Sequence, residues 1–551
     1  MKKRNVFKVI YELIKFVGPF IYVILFATLL GTLGFILAMN ITIFGALAIV
    51  KFMGVEVYCS YLTIFLIIGI SGIFRGVIRY GEQYFNHFMA FKLLALIRNK
   101  LFHKLRELSP SKLDAKNKGE IISLLQSDIE TLEVFYAHTI SPLLIAVLTS
   151  TTVFLFIGFM TSWYLALIAL LSYIILGVIV PTIYYLVSNK YGKKYRSELG
   201  KFEEFYLDSI YGYYEILSSN NENNRIKEMN KKSKSLIELN TKLENKGAFF
   251  KNVTTTVILL MNLLIIGVGG VLVKENLIAS PNIILAFVAL TSSFGSVLAL
   301  SQLPGNLAMT FASGNRVIDL LEEKPQVIDS ANPLTFEFNK LEVKNISFKY
   351  DDEVILKHLS LEVNKNEIVG ILGPSGSGKS TLLKLLMRFY DPSEGEILYN
   401  ERNIKDIKIE NIYNNVNLFS QTTYLFRGTI LENLLIANPS ASKDEVIEAT
   451  KNASIYQYIL NLPKGFDTKI SDLKDNFSSG EKQRLGLARV FLRKPKLLLL
   501  DEATSNIDAI NEGIILNALK KYKGEMSIVI ISHRASTLSI CDRVYKINEA
   551  R

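Results

Sequence analysis

Apolar and polar positions divide this chain in two. Through the first ~320 residues long apolar runs alternate with basic stretches, whereas the last ~210 carry short apolar runs broken by polar and turn-forming residues. Six runs, near residues 17–50, 57–78, 136–160, 163–187, 253–273 and 282–303, approach or exceed the ~20 residues that span the hydrocarbon of a bilayer. The pattern predicts six membrane helices. The first run is long, and Gly31, Gly34 and Asn40 are the places where it would bend or break.

Two gaps between the runs are long and basic. One holds Lys92, Arg98, Lys100, Lys104, Arg106, Lys112, Lys116 and Lys118; the other holds Lys190, Lys193, Lys194, Arg196, Lys201, Arg225, Lys227, Lys231 and Lys232. The remaining gaps, 54–60, 161–162 and 274–281, are short and nearly uncharged. Because cytoplasmic loops favour Lys and Arg, the asymmetry places both long gaps and both termini in the cytoplasm. Residues 91–108 and 191–214 keep helical apolar spacing, so helices two to five are expected to run on beyond the membrane. The chain would reverse at 109–119 and 218–224, two tips suited to touching a further domain. No cleavable leader is apparent after Met1-Lys2-Lys3-Arg4.

A linker with Pro325 and Pro333 follows at 322–339, and alternation resumes at Leu341-Glu342-Val343 as a strand. The expected organisation is an all-α six-helix transmembrane domain over 1–320, a linker over 321–340 and an α/β domain over 341–551. The net charge of +11 would suit nucleic acid, but cations in loops between apolar segments explain it better, and no nucleic-acid partner is expected. Two cysteines, Cys59 and Cys541, and five histidines give no disulfide framework or ligand spacing.

The second half carries the chemistry. Gly373-Pro374-Ser375-Gly376-Ser377-Gly378-Lys379-Ser380-Thr381 follows an apolar strand-like run and precedes a helix-like one, which is the context of a P-loop. Glycines let backbone N–H groups face phosphate oxygens, Lys379 would reach the β/γ-phosphates, and Ser380 would ligate Mg²⁺. A flexible Gly/Ser linker needs no Lys-Ser at that spacing. Leu497-Leu498-Leu499-Leu500-Asp501-Glu502 reads as a buried strand ending in two carboxylates, Asp501 for the Mg²⁺ shell and Glu502 for polarising the attacking water. ATP and Mg²⁺ are the expected cofactors.

With these residues in place, the domain resembles the nucleotide-binding domain of ABC transporters, an α/β P-loop ABC fold. Phe477-Ser478-Ser479-Gly480-Glu481 stands where that family has Leu-Ser-Gly-Gly-Gln, and Gln483-Arg484 and Ala488-Arg489 follow. The match departs at Phe477, Ser479 and Glu481. The resemblance implies that Ser478 and Gly480 face the γ-phosphate held by the opposite chain, that Tyr350 stacks on adenine, and that Gln421 senses Mg²⁺ and the attacking water. It further implies that Asp508 is the D-loop aspartate and His533 the switch histidine. Taken singly, Tyr350 is an ordinary strand aromatic and His533 an ordinary core histidine. Ser479 adds bulk and Glu481 negative charge at the start of the signature helix, so a working but slower site is expected.

Six apolar runs ahead of one ATPase domain resemble exporter-type half-transporters of the bacterial cytoplasmic membrane. The resemblance implies ATP hydrolysis coupled to transport, and a dimer with two ATPs sandwiched between opposite chains. The stretches Arg79-Tyr80-Gly81-Glu82-Gln83, Asn86-His87-Phe88, Asp128-Ile129-Glu130-Thr131-Leu132 and Ile140-Ser141-Pro142 are similar to the CydC side of the CydDC exporters. That resemblance implies a second, non-identical half-transporter as partner and cysteine- or glutathione-type thiols as solutes, with haem also implicated. Gln83, Asn86 and Phe88 depart from its pattern. Arg75, Arg79, Glu82 and Asn86, spaced 4, 3 and 4, share one helix face and are the candidate solute residues; the alternative is a salt bridge that braces helices. Competing readings are a homodimeric lipid, drug or peptide exporter and a non-transporting ABC channel or regulator.

Overall fold

The computed structural model describes residues 4–57, 59–114, 116, 118–301, 303–470, 477–502 and 509–547. It divides into two compact units, one of residues 1–109 and 113–324, the other of 110–112 and 325–551.

The first unit is helical. Among the described residues six helical runs are long and apolar enough to cross a membrane: Gly18–Phe52, Tyr61–Leu108, Lys118–Met160, Trp163–Tyr211, Glu222–Lys274 and Ser280–Leu300. Four of them exceed 40 residues, well beyond what hydrocarbon requires, so helices two to five do continue past their apolar cores. The expected break in the first run is absent: Ile21–Phe52 is one helix of 32 residues. Its glycines serve packing instead. A Cβ on Gly31 would collide with Ile145 Cδ1 and lie 3.1 Å from Glu82 Cγ, so two further helices approach its backbone there. The helix Tyr61–Leu108 exposes Phe65, Ile70, Ile73, Phe74 and Val77, a face suited to lipid, while Leu93, Ile97, Leu101 and Leu108 are buried farther along. Three five-residue π turns, Leu124–Asp128, Tyr136–Ile140 and Ile175–Ile179, interrupt the third and fourth runs.

A last helix, Pro304–Glu322, closes this unit. Arg4, nearly buried, donates to Asn315 Oδ1 at 3.0 Å and to Glu322 Oε2 at 2.7 Å, and also bonds Asp319. Asp128 is fully buried, and its Oδ1 accepts from Arg196 at 2.7 Å, from Ser313 at 2.8 Å and from Arg316. A buried carboxylate is costly unless paired, and these donors come from helices far apart in sequence.

Among the described residues the second unit carries three sheets. Strands β1 (Lys340–Tyr350), β2 (Glu353–Asn364), β3 (Ile368–Leu372), β4 (Glu394–Tyr399), β5 (Arg402–Asn403) and β6 (Val416–Phe419) come first. They are followed by β7 (Gly428–Thr429), β8 (Lys469–Ile470), β9 (Leu497–Asp501), β10 (Ser527–Ile531) and β11 (Arg543–Lys546). An antiparallel sheet has the order β2-β1-β4-β5, and a parallel sheet the order β11-β3-β10-β9-β6. β3, β9 and β10 are apolar on both faces because the parallel sheet is covered on both sides. β1 buries Leu341 and Val343 and turns Glu342 and Lys344 outward, the alternation its sequence shows.

Candidate functional site

Because β10 lies between β3 and β9, the loops after these three strands emerge together at the carboxyl edge of the sheet, where parallel α/β sheets bind ligands. β3 runs directly into Gly373. A Cβ there would lie 2.6 Å from Ile547 O and 2.8 Å from Ser377 Oγ, so only glycine fits. Gly376 and Gly378 adopt φ of +83° and +84°, which L side chains rarely reach. Gly378 caps the helix Lys379–Leu386 without a side chain, so the first N–H groups of that helix stay open to an anion. Ser375 and Gly376 are exposed at the loop crown, and Thr381 is half-buried in the first turn.

Lys379 is buried and its Nζ donates to Gly373 O at 2.9 Å and Pro374 O at 2.6 Å, folding the ammonium across the loop. Ser377 Oγ is buried with no hydrogen-bond partner among the described residues. The Ser380 hydroxyl donates to Asp501 Oδ1 at 3.0 Å. Burial raises the Asp501 carboxyl above its usual range, against the pull of the Ser380 hydroxyl. Glu502 has φ +47°, a strained conformation for this residue type, and its N–H donates to Ile531 O at 3.1 Å. Its Oε1 lies 3.5 Å from His533 Nδ1. The structure thus brings together Lys379, Ser380 and Asp501 on one side and Glu502 and His533 on the other.

Tyr350 ends β1 and forms edge-to-face pairs with Phe348 (4.9 Å) and Tyr390 (5.3 Å). Gln421 follows β6, and its carbonyl accepts from Gln483 Nε2 at 2.9 Å. Ser478 caps the helix Ser479–Arg493: its Oγ accepts from Glu481 N at 3.3 Å, and Glu481 Oε2 accepts from Ser478 N at 2.7 Å. This reciprocal box fixes the start of the helix and engages the Glu481 carboxylate. Asp508 lies outside the described residues.

Sequence reasoning passed over Arg489 as a site-supporting residue, although it stands in the quoted signature run. Its guanidinium donates to Asn433 O at 2.8 Å, Asn433 Oδ1 at 2.7 Å and Tyr424 O at 2.7 Å. It ties the signature helix to the segment that follows Gln421. In the membrane unit, Arg79 pairs with Glu82, and Asn86 Nδ2 donates to Glu82 Oε1 at 3.1 Å. Glu82 and Asn86 are buried, whereas Arg75 and Arg79 are exposed. Three of the four candidate solute residues are therefore brought together.

A parallel-sheet P-loop ATPase carried by a chain with six membrane-spanning helices defines an ATP-driven integral membrane protein. Residues 6–297 match the ABC transporter transmembrane region family, and residues 356–505 match the ABC transporter family. A protein of Haemophilus influenzae named "Probable ABC transporter ATP-binding/permease protein" is 40% identical over 550 residues, the full length of both chains. A Staphylococcus aureus protein, provisionally named a multidrug export ATP-binding/permease protein, is 31% identical over 482 residues, 86% of this chain and 82% of its own. A solved bacterial Atm1-family ABC exporter with ATP bound shares the fold, with a TM-score of 0.85 at 22% identity over 96% of this chain and 94% of that one. The chain belongs to the ABC transporter family, with a membrane region and an ATPase region fused in one chain. It binds ATP and couples hydrolysis to transport, and half-transporters of this kind act as dimers in a lipid membrane.

Proposed function

We propose that this chain forms one half of a two-chain exporter for a small zwitterionic solute of the cysteine or glutathione class, with a non-identical half-transporter as partner. The observation that carries the solute class is the Arg79–Glu82–Asn86 group. It offers a cation for a carboxylate, a buried carboxylate for an ammonium, and a buried Asn86 Oδ1 with no hydrogen-bond partner among the described residues. The basic gaps support a cytoplasmic ATPase unit and cytoplasmic termini.

At the nucleotide, Lys379 would exchange its loop carbonyls for phosphate oxygens and the buried Ser377 hydroxyl would gain an acceptor. Glu502 would accept a hydrogen bond from the attacking water, and His533 would donate to the γ-phosphate from the other side. Tyr350 would lie against adenine, Gln421 would carry the state of the site to the signature helix through Gln483, and Asp508 would contact the partner. The oxygen donors of Ser380 and Asp501, 3.0 Å apart, match the ~2.9 Å between neighbouring ligands of an octahedral Mg²⁺ at 2.0–2.1 Å, so the pair fits that ion, with Gln421 as a further ligand. Mg²⁺ there would offset charge on the phosphate oxygens. A Cβ on Gly480 would meet nothing within 4 Å among the described residues. No described neighbour requires a glycine there, which suits a close approach by nucleotide held on a partner, to which the Ser478 hydroxyl would donate.

The reading is tested by purifying the complex through a tag on this chain from its native membranes and measuring thiol uptake into inside-out vesicles. A one-to-one complex with a different half-transporter, together with ATP-dependent cysteine or glutathione uptake, is expected. Arg79→Ala should remove solute-stimulated ATPase and leave basal ATPase intact; loss of both together would show that Arg79 only braces helices. A second reading, a homodimeric multidrug exporter, is favoured by the name of the Staphylococcus aureus relative. A pure homodimer that moves drugs and no thiols would establish it in place of the first.

A further inference from the structure

Outside the ATP site, His87, Glu133 and His138 offer one ligand atom each, all within 4.8 Å of one another. His87 belongs to the helix Tyr61–Leu108, Glu133 to the short helix Glu133–Phe135, and His138 to the π turn Tyr136–Ile140. His87 Nδ1 lies 3.2 Å from Glu133 Oε1, and the two imidazole rings are 5.2 Å apart, edge to face. From the geometry we infer that these three side chains form a binding site for a transition-metal dication of the Zn²⁺ class.

The donor set is right for such an ion: two imidazoles and a carboxylate, with no soft sulfur and too few oxygens for Ca²⁺ or Mg²⁺. Donors about 2.0–2.1 Å from a tetrahedral ion stand about 3.3 Å apart, and the His87–Glu133 pair already has that separation. The remaining closure falls to His138, whose exposed side chain has room to turn. The backbone also favours the cluster. Residues five apart on an α-helix point roughly 140° from each other, which would separate Glu133 from His138. The i→i+5 bonding of the π turn returns them to one side, and Thr139 Oγ1 bonding back to Val134 O at 2.9 Å shows that spacing. His87 lies beyond the apolar run near 57–78, and His138 at the start of the run near 136–160, which sets the cluster at the edge of the membrane-spanning stretches, where dissolved ions have access. Three protein ligands leave a fourth position for water or another small donor. Bound there, the ion would tie the second helical run to the third. The inference does not depend on which solute is exported.

The test is a Zn²⁺ titration of chelator-stripped full-length protein in nanodiscs, with Co²⁺ absorption as a report of ligand number. One ion per chain, with the visible bands of a four-coordinate nitrogen/oxygen site, is expected. His138→Ala keeps the His87–Glu133 pair, so a mere ion pair would lose nothing on this change. A metal site should lose at least about tenfold in affinity, and His87→Ala and Glu133→Gln should do the same. Basal ATPase without metal should be unchanged in all three variants, since none lies in the nucleotide site. Wild-type protein that binds no more Zn²⁺ than the His87→Ala/His138→Ala double variant, or His138→Ala with undiminished affinity, would overturn the inference.

Discussion

Glu481 has two effects that oppose each other. Its carboxylate completes the capping box with Ser478, which favours the helix, and it places a negative charge at the helix start proposed to meet the γ-phosphate. Glutamine can close the same box without the charge. Glu481→Gln is therefore expected to lower the KM for ATP about twofold to fivefold, the equivalent of 0.3–1 kcal/mol of dipole-scale electrostatics, with little change in thermal stability. Steady-state ATPase assays and a melting curve on the same preparation check it. Asp542 is a case where charge supports the fold. Its Oδ2 accepts from Ile368 N at 2.9 Å and its Oδ1 pairs with Lys523, which hold the carboxyl below the usual carboxylate range. A carboxylate whose folded pKa is depressed stabilises above its unfolded pKa of about 3.9, and that stabilisation is lost as pH falls through the folded value. Asp542→Asn should melt earlier than wild type at neutral pH, and the difference should shrink steadily below about pH 4. The two effects differ in legibility. The charge of Glu481 could be read directly from its place in a motif, whereas Asp542 meets Ile368 from 174 residues away and carries no local pattern.

Among elements, the long helices were visible because apolar runs and helical periodicity are local properties of the chain. The runs near 57–78 and 163–187 are much shorter than the helical runs that contain them, Tyr61–Leu108 and Trp163–Tyr211, and the spacing in the basic gaps indicated the excess. Gly31, which the sequence marks as a place to bend or break the helix, instead lies at a contact inside an unbroken helix, because a glycine in a helix has the same sequence appearance in either role. The Asp128 cluster was out of reach for a different reason. Arg196 and Arg316 lie 68 and 188 residues away from it, and only the packed unit shows that all three share one buried centre. Asp128→Ala should leave two guanidinium groups without their shared carboxylate and cost about 3–5 kcal/mol, read as a lowered melting temperature in detergent or nanodiscs. A loss below about 1 kcal/mol would mean that water or another acceptor compensates.

At the scale of the whole molecule, the order of motifs along the ATPase half was enough to foresee which residues meet, since parallel strands deliver their following loops to one edge. Lys379, Ser380, Asp501, Glu502 and His533 do meet there. Sequence alone gave no sign that Lys379 would fold back onto Gly373 and Pro374, because that contact belongs to the loop's conformation. Glu502→Gln should reduce ATPase by at least about 100-fold, the usual weight of a positioned base, and trap the ATP-bound dimer. Release of phosphate in a single-turnover assay, together with nucleotide retained through gel filtration, checks both parts. Normal turnover would move the catalytic role to another carboxylate.

The helix Pro304–Glu322 supplies partners to both Arg4 and Asp128. A growing polypeptide makes Arg4 almost at once and Asp128 soon after; Arg196 can reach Asp128 midway, but the acceptors of Arg4 and the Ser313 and Arg316 donors to Asp128 are not translated until the membrane half is nearly complete. Through most of synthesis the Arg4 charge must rest on water, lipid headgroups or an insertion factor, and Asp128 on Arg196 alone. Ribosome stalls or truncations before residue 313 should therefore yield a membrane half that is inserted but not locked, while those after residue 322 should yield one that holds together before any ATPase fold exists.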